Sequence, residues 1–181
     1  ALQKARCLRR LYRMQESVEV LADVLYLDQY NIELMADLAE SHMQVGNTME
    51  AFTLYGILSR MQPENPYFKT CQARILYREK QYEESIAACK TIIAQDSIPE
   101  IMSMIADAYK NLGKADSALV YYNHVLSKRP KHVPTLSKKA DILLSDKQYI
   151  PVIEMSREYL EEDSDNMTML PIYGLALHLQ G

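Results

Sequence analysis

Apolar and polar positions along this chain recur with a period close to 34 residues. Small residues stand at Ala5, Ala39, Ala73, Ala106, Ala140 and Gly174, separated by 34, 34, 33, 34 and 34 positions. Three positions after each come Leu8, His42, Leu76, Tyr109, Leu143 and Leu177. Thirteen after come Val18, Phe52, Ile86, Leu119 and Ile153, and nineteen after come Val24, Leu58, Ile92, Val125 and Tyr159. A second small column, twelve after, reads Ser17, Ala51, Ser85, Ala118 and then Val152. Within each period the offsets form two clusters at helical spacing, parted by a turn. A fixed period of this length marks stacked helix–turn–helix units. The small residue has a physical reason. Helix axes approach to about 8 Å only where one helix lacks bulk, and lengthening that side chain overpacks the crossing by about 1–3 kcal/mol.

The period divides the chain into units 1–31, 32–65, 66–98, 99–132 and 133–166, followed by 167–181 as the first helix of a sixth. In the unit 99–132, Met102, Ile105, Ala106, Tyr109, Gly113, Ala118, Tyr122, Val125 and Pro130 follow one signature. In 32–65 the same signature is carried by Leu38, Ala39, Gly46, Ala51, Tyr55 and Pro63. On these residues the whole chain resembles a tetratricopeptide repeat array. The other units depart from it. Lys4, Gln72 and Lys139 stand where leucine is usual, Lys80 and Lys147 where glycine is usual, and there is no Trp. The resemblance implies an all-α fold: an α-solenoid of stacked antiparallel helix pairs in a right-handed superhelix, about five and a half units long.

Local signals sharpen the elements. Gly46 supplies a positive-φ helix end, and Thr48 is expected as the next N-cap. Asn65-Pro66 suits a helix entry with proline in the first turn. A one-residue deletion is expected in the loop before Pro99, where loop closure makes it cheap. Pro151 falls near a helix start, where a missing N–H is tolerated. Residues 167–181, with Leu170, Ile172, Gly174, Leu175, Leu177 and Leu179, read as a helix apolar almost all round. Such a helix is normally buried, so a homodimer through it is one expectation, and a missing partner helix is the other.

Composition adds bounds. The net charge of −4, with acids and bases interspersed, gives no global field toward nucleic acid or an anionic membrane. No run of 18 apolar residues exists, which excludes a spanning helix. Cys7, Cys71 and Cys89 are odd in number and form no Cys-x-x-Cys pair. They read as free thiols, favouring a reducing compartment and a cytoplasmic default; a periplasmic location stays open if a leader precedes Ala1. The basic residues Lys4, Arg6, Arg9, Arg10 and Arg13 of the first helix read as the solvated face of an end helix rather than a nucleic-acid patch. The acidic run 161–165 lacks the spacing and glycine of a calcium loop.

No phosphate-binding glycine loop, zinc-protease motif or nucleophile elbow occurs, and the four histidines share no helix face. No cofactor and no metal are expected, and the chain reads as non-catalytic. The resemblance implies instead a groove paved by the first helices, which would hold a peptide or protein segment. Its candidate residues are Arg6, Arg10, Glu33, Asp37, Glu40, Tyr67, Thr70, Arg74, Tyr77, Arg78, Asp107, Lys110, Asn111 and Asp141, with Arg9, Glu100, Ser103, Ser137 and Lys138 beside them. Arg74 and Arg78, four apart and flanked by Tyr67 and Tyr77, suit a carboxylate or phosphate. Two alternatives stand beside the interaction scaffold. Neighbouring units satisfy each other's charges, with Glu40 or Asp107 meeting Arg74; or the chain is a self-association or regulatory arm of a larger protein such as a transferase.

Overall fold

The computed structural model describes residues 1–93 and 98–181. Among the described residues there are eleven helices and no strand. They are α1 Leu2–Arg10, α2 Met14–Leu27, α3 Ile32–Val45, α4 Thr48–Met61, α5 Pro66–Arg78, α6 Tyr82–Ile93, α7 Pro99–Asn111, α8 Ala115–Lys128, α9 Val133–Ser145, α10 Tyr149–Leu160 and α11 Met169–Gln180. Residues Ala1–Ala88 form one compact body and Cys89–Gly181 a second, the division falling within α6. The deletion expected before Pro99 falls on 94–97, outside the described residues.

In both bodies antiparallel helix pairs close on the small columns. Ala5, Ala39, Ala73, Ala106 and Ala140 are all fully buried, and so are Ser17, Ala51, Ser85, Ala118 and Val152. The crossing is visible in the hydrogen bonds. The Ser17 hydroxyl donates to the Ala5 carbonyl at 3.1 Å, and the Ser85 hydroxyl to the Ala73 carbonyl at 2.9 Å. A serine therefore replaces alanine at the crossing without leaving its hydroxyl unpaired, which avoids the cost of a buried orphan. In the first body Met35, Tyr55, Leu58, Phe68, Cys71 and Ile75 pack around Ala39 and Ala51. In the second, Tyr122 and Ile142 pack around Ala106 and Ala118, and Leu143, Ile153 and Ala176 around Ala140 and Val152.

The turn inside each pair uses one left-handed residue. It is Tyr12, Gly46, Lys80, Gly113 or Lys147, with φ of 59°, 95°, 62°, 71° and 58°. Position, not residue type, dictates the geometry: the same αL turn forms where glycine is absent. Asn47, not Thr48, is the N-cap of α4, and it makes no side-chain cap bond. Asn31 and Asn65 do cap, accepting from Leu34 N and Tyr67 N.

Gly174 does not belong in the packing column. It is exposed, and nothing lies within 4 Å of where its Cβ would be. The small residue packed against α9 and α10 is Ala176, fully buried. The cause is local. The Asn166 side chain accepts hydrogen bonds from the backbone N–H of Thr168 and Met169, at 3.1 and 3.0 Å. That turn delays the helix to Met169, two residues past the start that the period predicts, and the contact residue moves with it. The helix is also not buried all round: Leu170, Leu175, Leu177 and Leu179 are between 42% and 49% exposed.

Candidate functional site

The first helices carry the groove candidates, and the structure sorts them by partner. In the first body Arg6 pairs with Asp37 and Glu33 at 2.9 and 2.8 Å, and Arg9 with Asp37 and Glu40 at 2.7 and 3.0 Å. In the second, Lys138 meets Asp107 at 2.6 Å and Lys110 meets Asp141 at 2.9 Å. Asp107 also accepts from the Tyr122 hydroxyl at 2.6 Å, and its carbonyl from the Asn111 amide at 2.9 Å. Four of these contacts, Arg6–Asp37, Arg9–Glu40, Lys110–Asp141 and Lys138–Asp107, join residues 31 apart. Within the pairs α1/α3 and α7/α9 the first helices are thus staggered by three residues against the 34-residue period. The expected meeting of Glu40 or Asp107 with Arg74 is not formed; Glu40 goes to Arg9 and Asp107 to Lys138.

The remaining candidates separate. The Thr70 hydroxyl is spent on the Pro66 carbonyl at 2.8 Å. Tyr77 packs edge-on against Tyr82, with ring centroids 5.5 Å apart. Arg10 is exposed beside Tyr12 and Met14 at the edge of the first body.

Arg74 and Arg78 are different. Both are exposed, and among the described residues neither has an acidic side chain at ion-pair distance. On the α3 side the cleft that they share presents Glu40, Met43 and Gln44, and Glu40 is taken by Arg9. The two arginines line a cleft of about 410 Å³ between α3 and α5, floored by Met43, Tyr55 and Ile75. Tyr67, Cys71, Arg74 and Arg78 form one stripe along α5, at helical spacing. Sequence reading found Tyr67 and the arginines but missed Tyr55. It belongs to α4, and only the packing of α4 under α3 and α5 brings it to the floor.

The cleft's polar groups hold their protons. Burial pushes the Cys71 thiol up, against hydrogen bonding from Tyr67 and the charge of Arg74. The Tyr67 hydroxyl is raised by Cys71 and by its own burial, and the Tyr55 hydroxyl above all by burial. A neutral thiol is a poor nucleophile, so the cleft offers two cations over an apolar, uncharged floor. Cys7, Cys71 and Cys89 are free thiols. Among the described residues no cluster of three or more His, Cys, Asp or Glu could hold a metal ion, and no helix is long and apolar enough to cross a membrane.

Comparison with known proteins agrees with this geometry. A tetratricopeptide repeat model matches residues 99–132. The Caenorhabditis elegans tetratricopeptide repeat protein 8 is 29% identical over 125 residues, covering 68% of this chain and 24% of the relative. A Caenorhabditis briggsae homologue of tetratricopeptide repeat protein 21 is 22% identical across 96% of this chain and 13% of its own length. The chain thus spans a quarter or less of these relatives. Among solved structures, MamA from Desulfovibrio magneticus RS-1 superposes with a TM-score of 0.76 at 12% identity, over 91% of this chain and 94% of that one. A tetratricopeptide repeat protein from Parabacteroides merdae gives 0.75 at 18% identity, over 83% and 60%. With the small-residue ladder, the repeated αL turn and the helix pairs already in place, these matches give the chain a tetratricopeptide repeat at residues 99–132 and the fold of tetratricopeptide repeat proteins along its length.

Proposed function

We propose that this chain is a non-catalytic interaction scaffold that holds a peptide or protein segment in the cleft of its first body. The observation that carries this reading is the pair Arg74 and Arg78. Elsewhere on the first helices Arg6, Arg9, Lys110 and Lys138 are matched by acids of the adjacent unit. Here two cations face open space above an apolar floor. A polar-rimmed hollow over apolar side chains has the composition of a ligand site, apolar with a few placed polar groups.

The test is selection of displayed peptides against the purified chain, followed by titration of the selected peptide into wild type and the Arg74→Glu, Arg78→Glu double variant. Binding that weakens at least tenfold in the variant, with helicity and melting unchanged, supports the reading. Failure of any peptide to enrich overturns it.

A second reading, self-association, rests on the exposed leucines of α11. Light scattering distinguishes it: a concentration-dependent dimer that dissociates on Leu175→Lys favours assembly, and a monomer at all concentrations rejects it.

A further inference from the structure

The chemistry of the partner follows from the same cleft, and this step rests on the scaffold reading above. Arg74 and Arg78 lie four residues apart on one face of α5, an arrangement in which like charges repel. Among the described residues no acid at ion-pair distance relieves that repulsion, and the α3 residues nearest them in the cleft include Met43 and Gln44. Glu40, at the far rim of the cleft, is already held by Arg9 at 3.0 Å. An anion entering the cleft therefore gains two charge-assisted contacts without breaking an ion pair already formed. Below the guanidiniums the walls are Met43, Tyr55, Tyr67 and Ile75, which accept an apolar side chain.

We infer that the cleft selects a segment carrying an oxyanion next to an apolar side chain: the oxyanion bridges Arg74 and Arg78, and the apolar group rests on Met43, Tyr55 and Ile75. Aspartate or glutamate and a phosphorylated serine share this chemistry. Specificity has a repulsive side as well, since a lysine or arginine at the same place meets two cations.

The experiment uses fluorescein-labelled synthetic peptides based on the selected sequence, in three versions with glutamate, phosphoserine or glutamine at the anionic position. Dissociation constants come from fluorescence anisotropy at low and high salt. The inference expects the glutamate or phosphoserine version to bind at least about tenfold more tightly than glutamine, from a charged hydrogen-bonded contact, and the advantage to shrink with salt. Whichever anionic version binds more tightly names the source.

Arg74→Gln with Arg78→Gln removes the advantage without reversing charge, and serves if the glutamate variants fold poorly. Met43→Glu, which places an acid in the lining of the same cleft, removes it too, whereas the exposed Arg60→Glu leaves it intact. Equal affinity of the glutamine and anionic versions overturns this inference while the scaffold reading stands. Absence of any selected peptide overturns both.

Discussion

The Arg9 guanidinium lies 2.7 Å from the Asp37 carboxylate, and both side chains are nearly withdrawn from water, 12% and 9% exposed. Asp37 also accepts from Arg6 Nε at 2.9 Å. It joins α1 to α3 as a structural acid rather than waiting for a ligand. Removing one member of a buried pair strands the other, at about 3–5 kcal/mol when fully buried. Arg6 still reaches solvent, so Asp37→Ala is expected to cost about 2–3 kcal/mol, read by urea denaturation. A loss under 0.5 kcal/mol, the level of a surface pair, would mean the contact is incidental.

The small-residue ladder predicts opposite outcomes for two neighbouring positions. Ala106→Leu and Ala176→Leu each insert bulk at a fully buried crossing and should cost about 1–3 kcal/mol. Gly174→Ala adds a methyl where nothing lies within 4 Å and removes backbone freedom from a helix interior. It should stabilise by about 0.5–1 kcal/mol. Denaturant midpoints of the three variants check this, and a destabilising Gly174→Ala would restore glycine to the ladder.

Lys80 and Lys147 hold φ of 62° and 58° at the position where Gly46 and Gly113 sit in other units. The left-handed region costs a residue with a Cβ about 1–2 kcal/mol, partly offset by the entropy that glycine adds to the unfolded chain. Lys80→Gly and Lys147→Gly should each gain about 0.5–1 kcal/mol, and Gly113→Val should lose at least as much. Thermal melts of these single variants suffice.

Burial holds the His42 imidazole below its ordinary 6.5, with Glu50 pulling the other way. The unfolded chain therefore takes up this proton before the folded chain does. Stability is unaffected well above 6.5 and declines as pH falls through 6.5, levelling off once the folded-state histidine is also protonated. His42→Leu, which restores the residue type of Leu8 and Leu76 in the same column, should flatten this part of the profile. Melting temperatures between pH 7.5 and 5.5 for both proteins show whether the slope belongs to His42.

The sequence announces what each unit repeats. Alanine at the crossing, the turn position and the apolar columns recur because every pair solves the same packing problem. For that reason Ala5, Ala39, Ala73, Ala106 and Ala140 were legible without coordinates. Gly174 was misread because a period assumes equal loops, and the Asn166 turn lengthens one of them. The groove was only half legible. Which acid meets which base depends on the three-residue stagger between neighbouring first helices, a property of packing that a 34-residue period does not encode. So pairing between neighbouring units was foreseeable for Glu40 and Asp107, but with Arg74 as the partner rather than the Arg9 and Lys138 that they meet. Tyr55 was missed because it reaches the cleft from beneath, on a second helix.

Hydrogen–deuterium exchange with a selected peptide bound tests the central claim most directly. The account predicts slowed exchange in two stretches, 40–44 on α3 and 67–78 on α5, with α11 unchanged. Protection confined to α11, or none in α5, would contradict it.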